Sequence, residues 1–148
     1  MSEHPPIDVT VDVVAFTQVD GELHLLVVRR GNPPFEGQLA LPGGYLEVDE
    51  DLAPAAAREL HEETGIELRA EELLQLGAYG EPDRDPRNRT ISVAFLATLD
   101  RAIAAEGGSD AADAKWAPVE SLLAGGDLAF DHASIVRDAV NRRSAARS

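Results

Sequence analysis

Between Gly43 and Ile66 the chain reads GGYLEVDEDLAPAAARELHEETGI, and no other stretch constrains the fold as tightly. From about Asp51 to Thr64 the pattern is helical. Pro54 is compatible because it falls in the first turn, where no intrahelical N–H is needed, and Gly65 supplies the end. At ~100° per residue, Glu59, Glu62 and Glu63 fall within an arc of roughly 100°. Ala53, Ala57, Leu60 and Thr64 collect on an adjoining face that can pack on a sheet. Like charges three and four residues apart destabilise a helix by about 0.2–0.5 kcal/mol per pair. A bound divalent cation reverses that cost, and oxygen ligands select hard ions such as magnesium or manganese, which bridge to phosphates and activate water. A Glu-rich helix can equally be a solvated face, so the flanking spacing has to decide.

The rest of the chain predicts a sheet for this helix to cover. IDVTVDVVAFTQ and LHLLVVRR, separated by the turn VDGE, read as two β-branched strands. GNPPFEGQ is a loop and LAL leads into PGG; LLQLGAYG and TISVAFLATL are further strands on either side of the polar loop EPDRDPRNR. AEGGSDAADA reads as a small-residue loop, KWAPV as a short strand, PVESLLAG as a short helix and DHASIVRDAVNRRSAAR as a closing helix with Asp131 as its N-cap. Strands and helices are mixed without regular alternation. The expected class is α/β, a mixed sheet with helices packed on it, forming one domain over residues 1–148.

Composition removes several functional classes. There is no cysteine among the 148 residues, so disulfides, thiolate zinc sites and thiol nucleophiles are excluded. No apolar run approaches the ~20 residues of a membrane span and the start lacks signal-peptide features, which predicts a cytoplasmic protein with no membrane partner. A net charge of -14 repels nucleic-acid backbones, and a phosphate-bearing ligand then needs a local basic pocket or a metal ion. No G-x-S-x-G or P-loop pattern occurs, the four histidines lack zinc spacing, and Trp116 reads as a packing residue.

The flanking spacing is decisive. Gly44, Glu50, Arg58, Glu59, Leu60, Glu62, Glu63, Gly65 and Ile66 match, without departure, the Nudix box G-x5-E-x7-R-E-U-x-E-E-x-G-U, with U aliphatic. At average residue frequencies such a match arises by chance at one window with a probability on the order of 10^-9. The chain therefore resembles the Nudix hydrolases, which cleave a nucleoside diphosphate linked to another moiety and fold as an α/β/α sandwich around a mixed sheet. The resemblance implies Glu59, Glu62, Glu63 and the carbonyl of Gly43 as ligands for Mg2+, with Mn2+ as the alternative. It also implies that Arg58 holds the carboxylates by salt bridges, that Glu50 supports the ion indirectly, and that Gly43 and Gly44 allow close backbone approach. Glu59 is one candidate base. In many relatives the base comes from a loop outside the box, which leaves Asp110, Asp113 and Glu106 open, with Asp110 favoured and an ordinary loop aspartate as the alternative.

A second stretch bears on the substrate. GEPDRDPRNRTISVAF places Arg84, Arg87 and Arg89 on a loop entering a strand, either as a solvated turn balanced by Asp83 and Asp85 or as an anion-binding edge. Pro82 lies sixteen positions after Ile66. A proline at that offset, followed by RDPR, resembles the ADP-ribose pyrophosphatases and the related ADP-ribose-sensing Nudix regulators. Arginine forks suit two linked phosphates and Asp85 could accept from ribose hydroxyls; Arg30 is a further contact, and Phe35, Tyr79 and Phe130 are candidates for an adenine platform or for core. The expected reaction takes ADP-ribose to AMP and ribose 5-phosphate. Two alternatives stand: a Nudix pyrophosphatase for an oxidised dNTP, a sugar nucleotide or a dinucleotide, and a non-catalytic sensor. The regulators join their Nudix domain to a winged-helix DNA-binding domain, whereas this chain ends soon after its closing helix, so no nucleic-acid partner is expected. The resemblance also implies a homodimer.

Overall fold

A computed structural model describes residues 4–107 and 111–146. The strands are β1 (Asp8–Val19), β2 (Glu22–Arg30), β3 (Leu39–Ala40), β4 (Gly43–Tyr45), β5 (Leu74–Tyr79), β6 (Thr90–Thr98) and β7 (Ala111–Pro118); the helices are α1 (Leu52–Thr64), α2 (Val119–Gly125) and α3 (His132–Ala146). All strands join one seven-stranded sheet whose main path runs β3-β2-β1-β6-β5, with β4 on β1 and β7 on β2. β1 and β6 are parallel and the other pairs antiparallel, so the sheet is mixed as expected.

The central strand explains the layering. Along β1, Val11, Val13 and Ala15 point toward α1 and pack with Ala56, Leu60 and Ile66, while Val14 and Phe16 point to the opposite face and pack with Leu122, Ile135 and Ala139 of α2 and α3. A strand covered on both faces is apolar at nearly every position. This alternation at period two makes an α/β/α sandwich. The β1–β2 hairpin closes through Asp20 and Gly21, both at positive φ, the geometry that an Asp-Gly pair favours in a two-residue loop.

α1 begins and ends where its local signals place it. The Asp51 side chain accepts from the Leu52 N–H, and Gly65, at φ 77°, donates its N–H to the His61 carbonyl. Its buried side differs somewhat from the periodicity reading: Ala55 and Ala56 are buried with Leu60 and Thr64, and Ala53 and Ala57 are only partly covered. By helical spacing Ala55 lies on the carboxylate side, and it packs in the same apolar cluster as Leu46.

Two expectations need correction. β7 starts at Ala111 rather than at Lys115, because β2 offers it a ladder as far as the Arg30–Ala111 pair. GGY, to which the sequence pattern assigned no element, is strand β4, paired with β1. Asp131 does not cap α3 with its side chain; that carboxylate binds Arg84. Among the described residues no helix is long and apolar enough to cross a membrane.

Candidate active site

The β1–β4 pairing sets Gly43 opposite Asp12 and Gly44 opposite Val11, and the carboxylate side of α1 lies against that edge. The contact is tight: a Cβ on Gly44 would overlap the Glu59 carboxylate, 2.5 Å from its Cδ and 2.8 Å from Oε1, and a Cβ on Gly43 would collide with the Val11 carbonyl and the Asp12 carboxylate. At Gly43 the obstruction includes backbone, whereas at Gly44 it is the end of a side chain that must move to admit a Cβ. The Gly43 N–H donates to Glu63 Oε1 at 2.8 Å.

Arg58 organises the remaining acids. Its guanidinium donates to both oxygens of Glu50, at 3.0 and 2.5 Å, to Glu59 Oε2 and Glu62 Oε2 at 3.2 Å each, and to the Tyr45 carbonyl at 3.2 Å. The hydrogen bond from Arg58 holds Glu50 below the ordinary carboxylate range, and the hydrogen bonds it donates to Glu50 and Glu62 push the guanidinium higher still. Glu59 behaves differently. Burial raises its pKa, with Glu62 adding to the effect and Arg58 opposing it. A desolvated carboxylate of that kind is a stronger base than an exposed one.

As the side chains stand, no group of three or more acidic or histidine residues among the described residues is gathered around one point that could hold a metal ion. Glu59 and Glu62 lean on Arg58, and Glu63 on the Gly43 amide. The donor set nevertheless fits a hard divalent cation, because it consists of carboxylate oxygens on adjacent turns of one helix face beside the side-chain-free glycines of β4.

The box faces a cavity of about 530 Å3 that it shares with Arg30, Arg84, Asp85, Arg87, Phe130 and His132. Arg30 donates from Nε to the Pro34 carbonyl at 2.7 Å and lies 4.9 Å from the centre of the Phe130 ring; Arg87 lies 5.7 Å from it. Burial and the neighbouring charge of Arg87 lower the Arg30 pKa, while Glu63 opposes the shift. Phe35 packs edge-on against Phe130 at 4.8 Å, and both hold positive φ, 60° and 54°, a conformation that costs about 1–3 kcal/mol in a non-glycine residue and clusters at functional sites.

Several predicted site residues have other partners here. Arg84 is buried and forks onto Asp131 at 2.9 and 2.6 Å. Burial alone would lower its pKa, but Asp131 outweighs burial and raises it. Burial would likewise raise Asp85, yet its bonds from the Arg87 N–H and guanidinium hold it low. Both still line the cavity, so each reaches it with part of its hydrogen-bonding capacity already used. Pro82 is exposed in the turn closed by the Arg84 N–H to the Glu81 carbonyl and does not line the cavity; it shapes the loop by presetting φ. Arg89 ties back to the Gly80 carbonyl. Tyr79 is no platform, since its hydroxyl donates to Asp138 and its ring packs on the core. Glu106 and Asp113 are exposed and away from the cavity, and Asp110 lies outside the described residues. Trp116 packs beside α1 and donates to the Ile103 carbonyl.

The cavity also contains residues that sequence patterns did not single out as functional. Asp12 and His132 are both buried, with His132 Nε2 3.7 Å from Asp12 Oδ1 and the Ser92 hydroxyl donating to Asp12 Oδ2. The Leu41 N–H donates to His132 Nδ1 at 3.0 Å, and burial holds the imidazole below its usual pKa. A charged residue inside the apolar run VTVDVVAF was the available signal for Asp12.

The family model of the NUDIX domain matches residues 6–139. The chain belongs to the Nudix hydrolase family. It is 38% identical to an ADP-ribose pyrophosphatase of Methanocaldococcus jannaschii over 122 residues, covering 81% of this chain and 68% of that protein. It is 34% identical over 143 residues to the ADPR responsive transcriptional repressor NtrR of Acinetobacter baylyi, spanning 95% of this chain but 56% of the repressor. Among solved structures, this Nudix chain superposes with a TM-score of 0.86 on the NUDIX domain of Shewanella oneidensis NrtR complexed with ADP ribose, at 33% identity and covering 94% of this chain and 90% of that one. A bifunctional NMN adenylyltransferase/ADP ribose pyrophosphatase of Francisella tularensis, complexed with AMP and a Mn ion, gives a TM-score of 0.80 at 35% identity, covering 95% of this chain and 43% of that one.

Proposed function

We propose that this Nudix chain is a divalent-metal-dependent pyrophosphatase that hydrolyses ADP-ribose to AMP and ribose 5-phosphate. The observation that carries the reading is the shared cavity: the carboxylates of α1 line it together with Arg30 and Arg87, which lie over Phe130. A chain of net charge -14 concentrates cations there, which suits a ligand with a diphosphate and an aromatic base.

Glu59, Glu62 and Glu63 would hold Mg2+ or Mn2+, with the Gly43 carbonyl as a further oxygen. Such an ion, when bound, neutralises phosphate oxygens and lowers the pKa of water. The chain's own residues account for the rest. Arg30 and Arg87 bind and orient the diphosphate, Phe130, backed by Phe35, offers apolar surface to the base, and Glu59 accepts a proton from the attacking water. Arg58 holds Glu59 and Glu62 in register with the glycine strand.

Support comes from the relatives named for ADP-ribose hydrolysis and from the NrtR domain complexed with ADP ribose. The repressor relative favours a second reading, in which the same cavity senses ADP-ribose without turnover. Steady-state kinetics on ADP-ribose, NADH, a diadenosine polyphosphate, a sugar nucleotide and an oxidised dNTP separate these. The expected result is a kcat/KM for ADP-ribose at least tenfold above the others and lost on chelation; ADP-ribose binding with no turnover selects the sensor, and preference for another nucleotide replaces the substrate.

A further inference from the structure

We infer that the Phe130–Asp131–His132 turn is a positioning joint in which adjacent residues serve different parts of the cavity lining, Asp131 setting the arginine loop and His132 setting the glycine strand of the Nudix box. The inference rests on the metal-dependent ADP-ribose reading above.

The contacts divide cleanly along these residues. Asp131 takes both Nε and Nη2 of Arg84, and so anchors the 81–89 loop that carries Asp85 and Arg87. His132, one residue on, turns the other way: its Nδ1 accepts the N–H of Leu41. Leu41 precedes Pro42, whose carbonyl accepts from the Val13 N–H and whose ring leaves little freedom in φ. The next residue is Gly43, whose amide holds Glu63. A short, stiff path therefore runs from the imidazole to a carboxylate of the box. Because Nδ1 is occupied as an acceptor, the ring proton lies on Nε2, facing Asp12 Oδ1 at 3.7 Å. Asp12 is in turn anchored by Ser92 and sits where any side chain on Gly43 would collide with it. Phe130, at φ 54°, makes the reversal that aims its two successors apart.

His132 touches no reacting atom in this account; it positions the box through Leu41. Groups that orient metal ligands from behind typically change metal affinity or activity by about 10- to 100-fold when replaced.

The test uses the full chain with two readouts: Mn2+ affinity without nucleotide, by electron paramagnetic resonance, and ADP-ribose affinity in chelator, by calorimetry. Asparagine places an acceptor near the Nδ1 position, whereas glutamine moves it out to the Nε2 position. His132→Gln is expected to weaken Mn2+ binding at least tenfold and ADP-ribose binding less than twofold, and His132→Asn to restore Mn2+ affinity to within about threefold of wild type. Asp131→Asn is expected to do the reverse, weakening ADP-ribose at least fivefold and Mn2+ less than twofold. The joint is overturned if either variant shifts both affinities together, if His132→Gln leaves Mn2+ binding unchanged, or if the asparagine variant is as impaired as the glutamine one. A wild-type chain that binds neither Mn2+ nor ADP-ribose overturns the functional reading itself, an outcome read before any variant is made.

Discussion

Gly44→Ala probes the point where the glycine strand of the box meets the acidic helix. The added Cβ would lie 2.5 Å from Glu59 Cδ, 0.9 Å inside the 3.4 Å at which ordinary contact begins. The obstruction is the end of a side chain, so Glu59 can yield, but it must swing about 1 Å and give up its 3.2 Å bond from Arg58. A misplacement of about 1 Å in a catalytic group costs on the order of 10²-fold in rate, or about 2.7 kcal/mol of barrier. Stability should change little, since losing one partly solvated charged hydrogen bond costs about 1 kcal/mol. Gly43→Ala supplies the contrast. Its Cβ meets the Val11 carbonyl, a backbone atom in the central strand, which cannot move without parting β4 from β1, so this variant should lose fold stability first. The assay pairs thermal unfolding with Mg2+-dependent turnover. Gly44→Ala should melt near wild type with kcat down about 100-fold, and Gly43→Ala should melt well below it. Turnover of Gly44→Ala within threefold of wild type would refute the steric reasoning.

Glu63→Gln keeps an acceptor for the Gly43 amide while removing the charge; the expectation is an unchanged melting temperature and loss of most metal-dependent turnover, measured in parallel. Arg84→Ala breaks a largely buried two-bond ion pair and should destabilise the fold by about 3 kcal/mol in denaturant titration, with KM for ADP-ribose rising as the loop loosens; a fall in kcat at unchanged KM would contradict the loop's place at the ligand. For His132, burial lowers the folded-state pKa below the reference value of 6.5. The stability this confers is fully present above pH 6.5 and is lost as pH falls through the depressed folded value, at no more than about 1.4 kcal/mol per pH unit. His132→Asn should flatten that part of the profile in denaturant titrations at several pH values, and an unaltered slope would exclude His132 as its source.

The legible parts of this molecule were those whose causes are local. α1 could be bounded because Asp51 and Gly65 are its own caps, and its carboxylates could be grouped because helical spacing alone sets their arc. The β1–β2 hairpin followed from Asp20 and Gly21. Composition misled at residues 111–114, where small residues suggested a loop and the open edge of β2 made a strand. Arg84 was visible as a basic loop residue, but its partner lies 47 positions away. The bond from Leu41 to His132 spans 91 positions, and no pattern along the chain relates them. Long-range pairing of this kind decided how Arg84 and His132 are held.

The central claim is that the acidic helix serves metal-dependent cleavage of ADP-ribose. It is tested most directly by following AMP and ribose 5-phosphate formation from ADP-ribose with Mg2+ and again with chelator. The account predicts equimolar AMP and ribose 5-phosphate with Mg2+ and neither with chelator. Intact ADP-ribose under both conditions, or cleavage that persists in chelator, would contradict it.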